Sequence, residues 1–356
     1  MVEKLRTMNA IASIRKIIAD RLQYEIKRRG LNSSASLGVP KDVLNGYLRG
    51  TQEIKFSELT AICNQLGINP VRLIYSQDYP KLNIVYRNAQ RPVQKTVSML
   101  EDVFLLIEPI LPSIEIPQYD HVDNNKYSSI KDIISEAAVY ASKVREKHPS
   151  PEDFISDHSI PLFPVKSNDK FDAFVITKDN HAVICINMNN APQRIRFSLA
   201  HEICHLLFDR QREIAVDVFL PELYWKDKFK SDEVPELFAY KFAEFYLVPY
   251  KEVYLLTLKW PDLDLSKCEE IINNYKISKD VLANAIRDIL LCSDKSVNFQ
   301  EIKSILQPLN NSKDANSIFL FLEEARKELS LLIDSHSFKY SDKILNFIKE
   351  VLQFDV

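Results

Sequence analysis

The sequence predicts a mainly helical α+β protein of more than one domain, and three observations carry that expectation. Apolar residues recur at helical spacing through most of the 356 residues, whereas only two short adjacent runs, 172–177 and 181–187, read as strands. Charge is divided as well: residues 1–79 hold 12 Lys and Arg against 7 Asp and Glu, which is +5, leaving −8 for the rest of a chain of net charge −3. A basic head on an acidic body points to a polyanionic partner for the head alone. With 46% hydrophobic and 27% charged residues, the chain is long enough to bury two or three domain cores.

Composition also excludes some classes. No apolar run approaches the roughly 20 residues of a membrane span, and the start "MVEKLRTMNA" lacks a signal-peptide core, so the expected location is the cytoplasm, away from membranes. The five cysteines (Cys63, Cys185, Cys204, Cys268, Cys292) are scattered and never form Cys-x-x-Cys, which suits a reducing compartment and excludes a structural zinc ribbon.

In the head, residues 11–29 place Ile14, Ile17, Ile18, Leu22 and Ile26 at helical spacing, with Gly30 as the C-cap. Gly38 then makes a tight turn, Pro40 takes a first-turn position, Gly50 ends the next helix, and Leu59, Ile62, Cys63 and Leu66 build another. Five short helices with a glycine turn between the second and third read as a helix-turn-helix domain over 1–78. The stretch "SASLGVPKDVLNGYLRG" resembles the phage-repressor (XRE) helix-turn-helix family. That resemblance implies that Lys41, Asp42, Asn45 and Gly46 face the major groove, with Arg49 and Lys55 near phosphates. The Gln- and Glu-rich first motif helix of that family is replaced by "NSSAS", which leaves docking on a repressor, or homodimer formation, as the alternative use of this head.

Residues 79–125 read as a linker with one helix, 95–110, bounded by Pro80, Pro92 and the break "LPSIEIPQYDHVDNNKYSS". From Ile130 a helix opens a domain expected over 126–293. "DAFVIT" (172–177) and "HAVICIN" (181–187) are expected as a hairpin turning at Lys178, Asp179 and Asn180. One of these strands is expected to be an edge that holds an extended peptide by strand addition.

Chemistry enters at "RIRFSLAHEICHLLFDR", 194–210. His201 and His205 sit one helical turn apart, so both imidazoles project from one face toward a single ion, and Glu202 flanks that face in place to take a proton from the attacking water. Chance would produce His-Glu-x-x-His about 0.02 times in this composition, which favours a metal site over two satisfied core histidines. Catalytic zinc takes three protein ligands. In "VPELFAYKFAEFYLVP", 234–249, Pro235 starts a helix and Pro249 ends it, and Glu236, Ala239, Ala243 and Tyr246 share one stripe. Small alanines beside a carboxylate let this helix approach the histidine helix closely, so Glu236 is the expected third ligand. The other histidines are expected to lie outside the ligand set.

These two segments resemble the ImmA/IrrE family of zinc metallopeptidases. Arg194, Phe197, Ser198, Leu199, Ala200, His201, Glu202 and His205 carry its first pattern, and Glu236, Ala239, Phe242 and Ala243 carry the second. The resemblance covers about 130–290, with Cys204, Tyr240 and Ala173 departing from the usual glycine, asparagine and glycine. It implies a zincin-like metallopeptidase domain with a small β-sheet, Zn2+ as the cofactor, and a repressor or antitoxin as the protein substrate, with operator DNA as a partner of the head. Two rivals stand beside it: a helix-turn-helix regulator or antitoxin that keeps a catalytically silent peptidase fold, and a metal sensor. Residues 294–356 are expected as a helical C-terminal extension that caps the peptidase domain.

Overall fold

The computed structural model describes residues 15–26, 37, 39–66, 73, 83–86, 95–117, 119, 126–168, 171–208, 229, 233–295, 297–340 and 342–354. The chain divides into two compact units, 1–82 with 91–106 and 83–90 with 107–356. Among the described residues, no helix is long and apolar enough to cross a membrane.

In the first unit, α1 (15–26), α2 (Lys41–Leu48) and α3 (Phe56–Leu66) bury Leu22, Ile26, Leu44, Tyr47, Leu59, Ile62, Cys63 and Leu66. Ile17, expected in the apolar stripe of α1, is instead 43% exposed, and the buried stripe runs through Ala19, Leu22 and Ile26. Gly50 ends α2 with φ +66°, a conformation that costs a residue with a Cβ. The start of α3 is closed by Glu58, which accepts from the Lys55 amide at 3.0 Å and from the Tyr47 hydroxyl at 2.9 Å. Gly30, the expected turn at Gly38 and the remaining expected helical segments of the head lie outside the described residues. Beyond them, α4 is Lys95–Ile107, continued by the 3-10 turn Glu108–Ile110, close to the expected 95–110.

The second unit is built on a four-stranded sheet of order β1 (Asn83–Tyr86), β3 (Ala173–Lys178), β4 (His181–Asn187) and β2 (Leu162–Val165). β3 and β4 form the expected hairpin, with Asp179 at φ 52° in its turn. β1 pairs antiparallel with β3, and β2 pairs parallel with β4. Three expectations are thereby corrected. The linker segment supplies a strand, because Asn83–Tyr86 lines up with Phe174–Thr177 in register. β2 was not foreseen, because Pro164 in "LFPV" argues against a strand and is tolerated only where no ladder amide is needed, as on this edge. Neither hairpin strand is an edge, since each already has a neighbour on both sides, so neither can accept a peptide by strand addition.

Helices cover this sheet. α5 (Ile130–Lys147) starts at a capping box in which Ser129 Oγ accepts from the Asp132 amide (3.3 Å) and Asp132 Oδ2 accepts from the Ser129 amide (2.9 Å). α6 (Pro151–Asp157) follows, and α7 (Pro192–Phe208) packs on β3 and β4. α8 (Val234–Leu247) lies in the seam between α5 and α7 and is buried along its whole length. Then come α9 (Tyr250–Thr257), α10 (Leu265–Asn274), α11 (Lys279–Cys292) and α12 (Phe299–Leu306), with α11 touching α5 and α8. The expected extension forms α13 (Ser317–Ser335) and α14 (Asp342–Leu352). α13 packs on β2 and α7, and α14 packs on β2. Gln353 completes this cover: its Oε1 accepts from the Lys166 amide (2.9 Å) and its Nε2 donates to the Lys166 carbonyl (2.8 Å).

Candidate metal centre

The position of α7 is set at its first turns. Asn187, at the end of β4 and 3% exposed, accepts from the Ser167 and Asn189 amides and donates to the Ser167 and Phe171 carbonyls. This single amide ties the loop after β2 to the loop that leads into α7. Arg194 then makes a two-point bond to Asp172 (2.7 and 2.8 Å), and Arg196 pairs with Glu152 of α6. From Ile195 to Phe208 every side chain of α7 is buried. A helix that is apolar nearly all round must be covered on every side, and β3, β4, α6 and α8 do so.

Within this helix His201 is 0% exposed, Glu202 0% and His205 2%. The two Nε2 atoms stand 3.0 Å apart. Glu236, in the first turn of α8 and 4% exposed, brings its carboxylate between them: Oε1 lies 2.9 Å from His205 Nε2 and Oε2 3.3 Å from His201 Nε2. Ala239 and Ala243 are fully buried, which fits the close approach of α7 and α8. The structure therefore brings His201, His205 and Glu236 together, and Glu202 lies beside them without being one of the converging donors.

This donor set fits a divalent ion. Two imidazole nitrogens and the nearest carboxylate oxygens stand 2.9–3.3 Å apart, within the span open to ligands of one zinc at bond lengths of about 2.0–2.2 Å. Both Glu236 oxygens are buried and, among the described residues, have no hydrogen-bond partner beyond these imidazole contacts. Burial opposes charge on Glu236, but His201 and His205 outweigh it and hold the carboxyl well below the usual carboxylate range. Cys204 is buried, outside the donor group and electrostatically coupled to Tyr127, so it packs as a small core residue.

Reading the sequence alone missed the residues that hold this geometry. Asp172 opens and Asn187 closes the two expected strands, but neither residue was given a role there. Tyr246, whose hydroxyl donates to the His148 (3.1 Å) and Ser150 (2.8 Å) carbonyls, fastens the end of α8 to the α5–α6 connection. Tyr246 was legible as a member of the Glu236 stripe, but nothing local indicated which carbonyls its hydroxyl meets. His148, His158, His181 and His336 stay outside the donor group; His121 lies outside the described residues.

In the first unit, Lys41, Asp42, Asn45 and Arg49 are exposed along α2 and its end, as is Lys55, while Leu44 and Tyr47 face the core. Gly46 is turned toward Gln52, since a Cβ there would come within 2.6 Å of its Oε1.

No curated protein and no solved structure was found to match this chain. A protein-family model does: residues 156–287 match the IrrE N-terminal-like domain, Peptidase_M78. The match spans α7 and α8 with all three converging donors and Glu202, and it supports the ImmA/IrrE family, and a metallopeptidase in general terms, for this part of the chain.

Proposed function

We propose that the chain is a regulatory zinc-dependent endopeptidase that cleaves a cognate repressor or antitoxin, and that its helix-turn-helix head docks on operator DNA or on the repressor itself. The observation that carries this reading is the convergence of His201, His205 and Glu236 with Glu202 on the same turn. The three converging residues would hold zinc, which supplies a Lewis acid for the scissile carbonyl and lowers the pKa of water. Glu202 takes the proton of the attacking water and returns it to the leaving amine. The buried wall of α7 and α8 around these groups excludes bulk water and strengthens their fields. The exposed Lys41, Asn45 and Arg49 of the head supply donors of the kind that meet phosphates and base edges.

Burial favours a second reading, in which the site is latent and metal occupancy alone regulates the head. None of the four residues at the centre is more than 4% exposed, whereas catalysis needs an open ligand position. Metal content by mass spectrometry, with incubation against candidate repressors and antitoxins encoded nearby, tests both. The expected result is about one zinc in the parent chain and in Glu202→Gln and none in Glu236→Ala, with cleavage lost in both variants. Zinc retained by Glu236→Ala overturns the ligand set. Zinc-dependent DNA binding that survives Glu202→Gln, without cleavage of any partner, selects the regulator.

A further inference from the structure

We propose that Tyr240 is the positioning residue of the metal centre: its ring, one turn beyond Glu236, holds the His201 imidazole in its binding orientation. The inference rests on the metal reading above.

An imidazole ring has a broad, roughly two-fold preference about its last torsion, so a buried histidine is oriented by what touches it. Tyr240 touches it directly. The two rings are nearly perpendicular, at 76° with centroids 5.0 Å apart, and His205 stands on His201 in the same manner at 4.7 Å and 68°. Tyr240 is in turn backed by Phe197, at 5.5 Å. Phe197 and Tyr240 are 7% and 6% exposed, so neither ring has room to swing away.

The register explains the arrangement. Phe197 precedes His201 by one turn on α7, and Tyr240 follows Glu236 by one turn on α8. Each helix thus contributes one aromatic residue a turn from its ligand, and the two rings meet across the seam. Near-perpendicular ring contacts depend on the opposite charge of ring face and ring edge. Phenylalanine reproduces that property and leucine does not, so the pair separates a role of the ring from one of the hydroxyl.

The test is zinc affinity, measured by competition with a chromophoric chelator, together with the visible spectrum of the cobalt(II)-loaded protein. Tyr240→Leu is expected to lose about tenfold or more in zinc affinity and to shift the cobalt bands, while Tyr240→Phe stays within about threefold of the parent. Phe245→Leu, a buried change elsewhere on α8, controls for general loosening and is expected to leave both readouts unchanged. Tyr240→Met replaces the leucine variant if the latter does not fold. Parental affinity with an unchanged cobalt spectrum in the non-aromatic variant overturns the proposal, and so does a phenylalanine variant as weak as leucine. A parent chain that takes up neither metal overturns the metal reading itself.

Discussion

Along α8, Glu236 meets His201 and His205 across the α7 seam, while Lys241 and Glu244 meet Asp288 and Arg287 of α11 within the next two turns. Both clusters are buried, and both would look functional from burial alone. They differ in how their groups satisfy one another. Lys241 Nζ lies 2.6 Å from Asp288 and 3.3 Å from Glu244, and Arg287 donates from Nε to Asp288 at 2.8 Å, so each charge has an opposite partner. At the metal centre a carboxylate faces two imidazoles, with no lysine or arginine paired to it among the described residues. Proton positions differ accordingly. Burial drives Glu244 up to about 8 against the pull of Lys241, so at neutral pH it keeps a proton shared with Asp288, whereas Glu236 is held ionised. A cluster of paired opposite charges ties helices together; a carboxylate converging with two imidazoles and no paired cation among the described residues has the donor set to hold a metal ion.

The largest expected effect comes from breaking the cluster of paired charges. Lys241→Met leaves buried Asp288 to Arg287 and takes the Nζ contact from both Asp288 and Glu244, and should cost about 3 kcal/mol in denaturant titration, with or without zinc. A loss below about 1 kcal/mol would show that the cluster does not hold α8.

A smaller effect, of opposite sign, is expected at Glu244. Its carboxyl is raised from near 4.5 in the unfolded chain to about 8. Its contribution to stability is therefore fully present below pH 4.5 and is lost as pH rises through 8. Glu244→Gln keeps a donor toward Asp288 and has no proton to lose. Thermal melts should show it gaining on the parent as pH rises from 5 to 8, most at the upper end, with the gain absent at pH 4. A pH-independent difference would assign the effect to packing.

The least change is expected where exposed Arg194, in the first turn of α7, meets buried Asp172. Arg194 is 55% exposed, so Arg194→Ala should cost under about 1 kcal/mol despite the two-point bond to Asp172, and should leave zinc affinity unchanged. A large loss of zinc would move the control of His201 from Tyr240 to the start of α7.

Legibility in the sequence followed how local the cause was. The pairing of His201 with His205 and the hairpin at Asp179 depend on residues a few positions apart, and the structure forms each of them where the pattern places it. Glu236 was legible because Pro235 and the buried alanines mark a helix that can approach closely. The strand at Asn83–Tyr86 was not, since its partner lies some ninety residues away and no local period announces it. β2 was hidden by Pro164, whose meaning depends on which side of the strand is left unpaired.

By itself, then, the sequence determined what each segment could be: a helix with two metal-binding imidazoles on one face, a second helix able to lie against it, and a hairpin behind. The tertiary structure decided which of those capacities is used. It turned the hairpin into the centre of a sheet with both inner edges occupied, set Glu236 across from the histidines, and placed Tyr240 on His201 and Lys241 on Asp288. The physical reason is that periodicity and capping act within a few residues, whereas register between helices is settled only when whole faces pack.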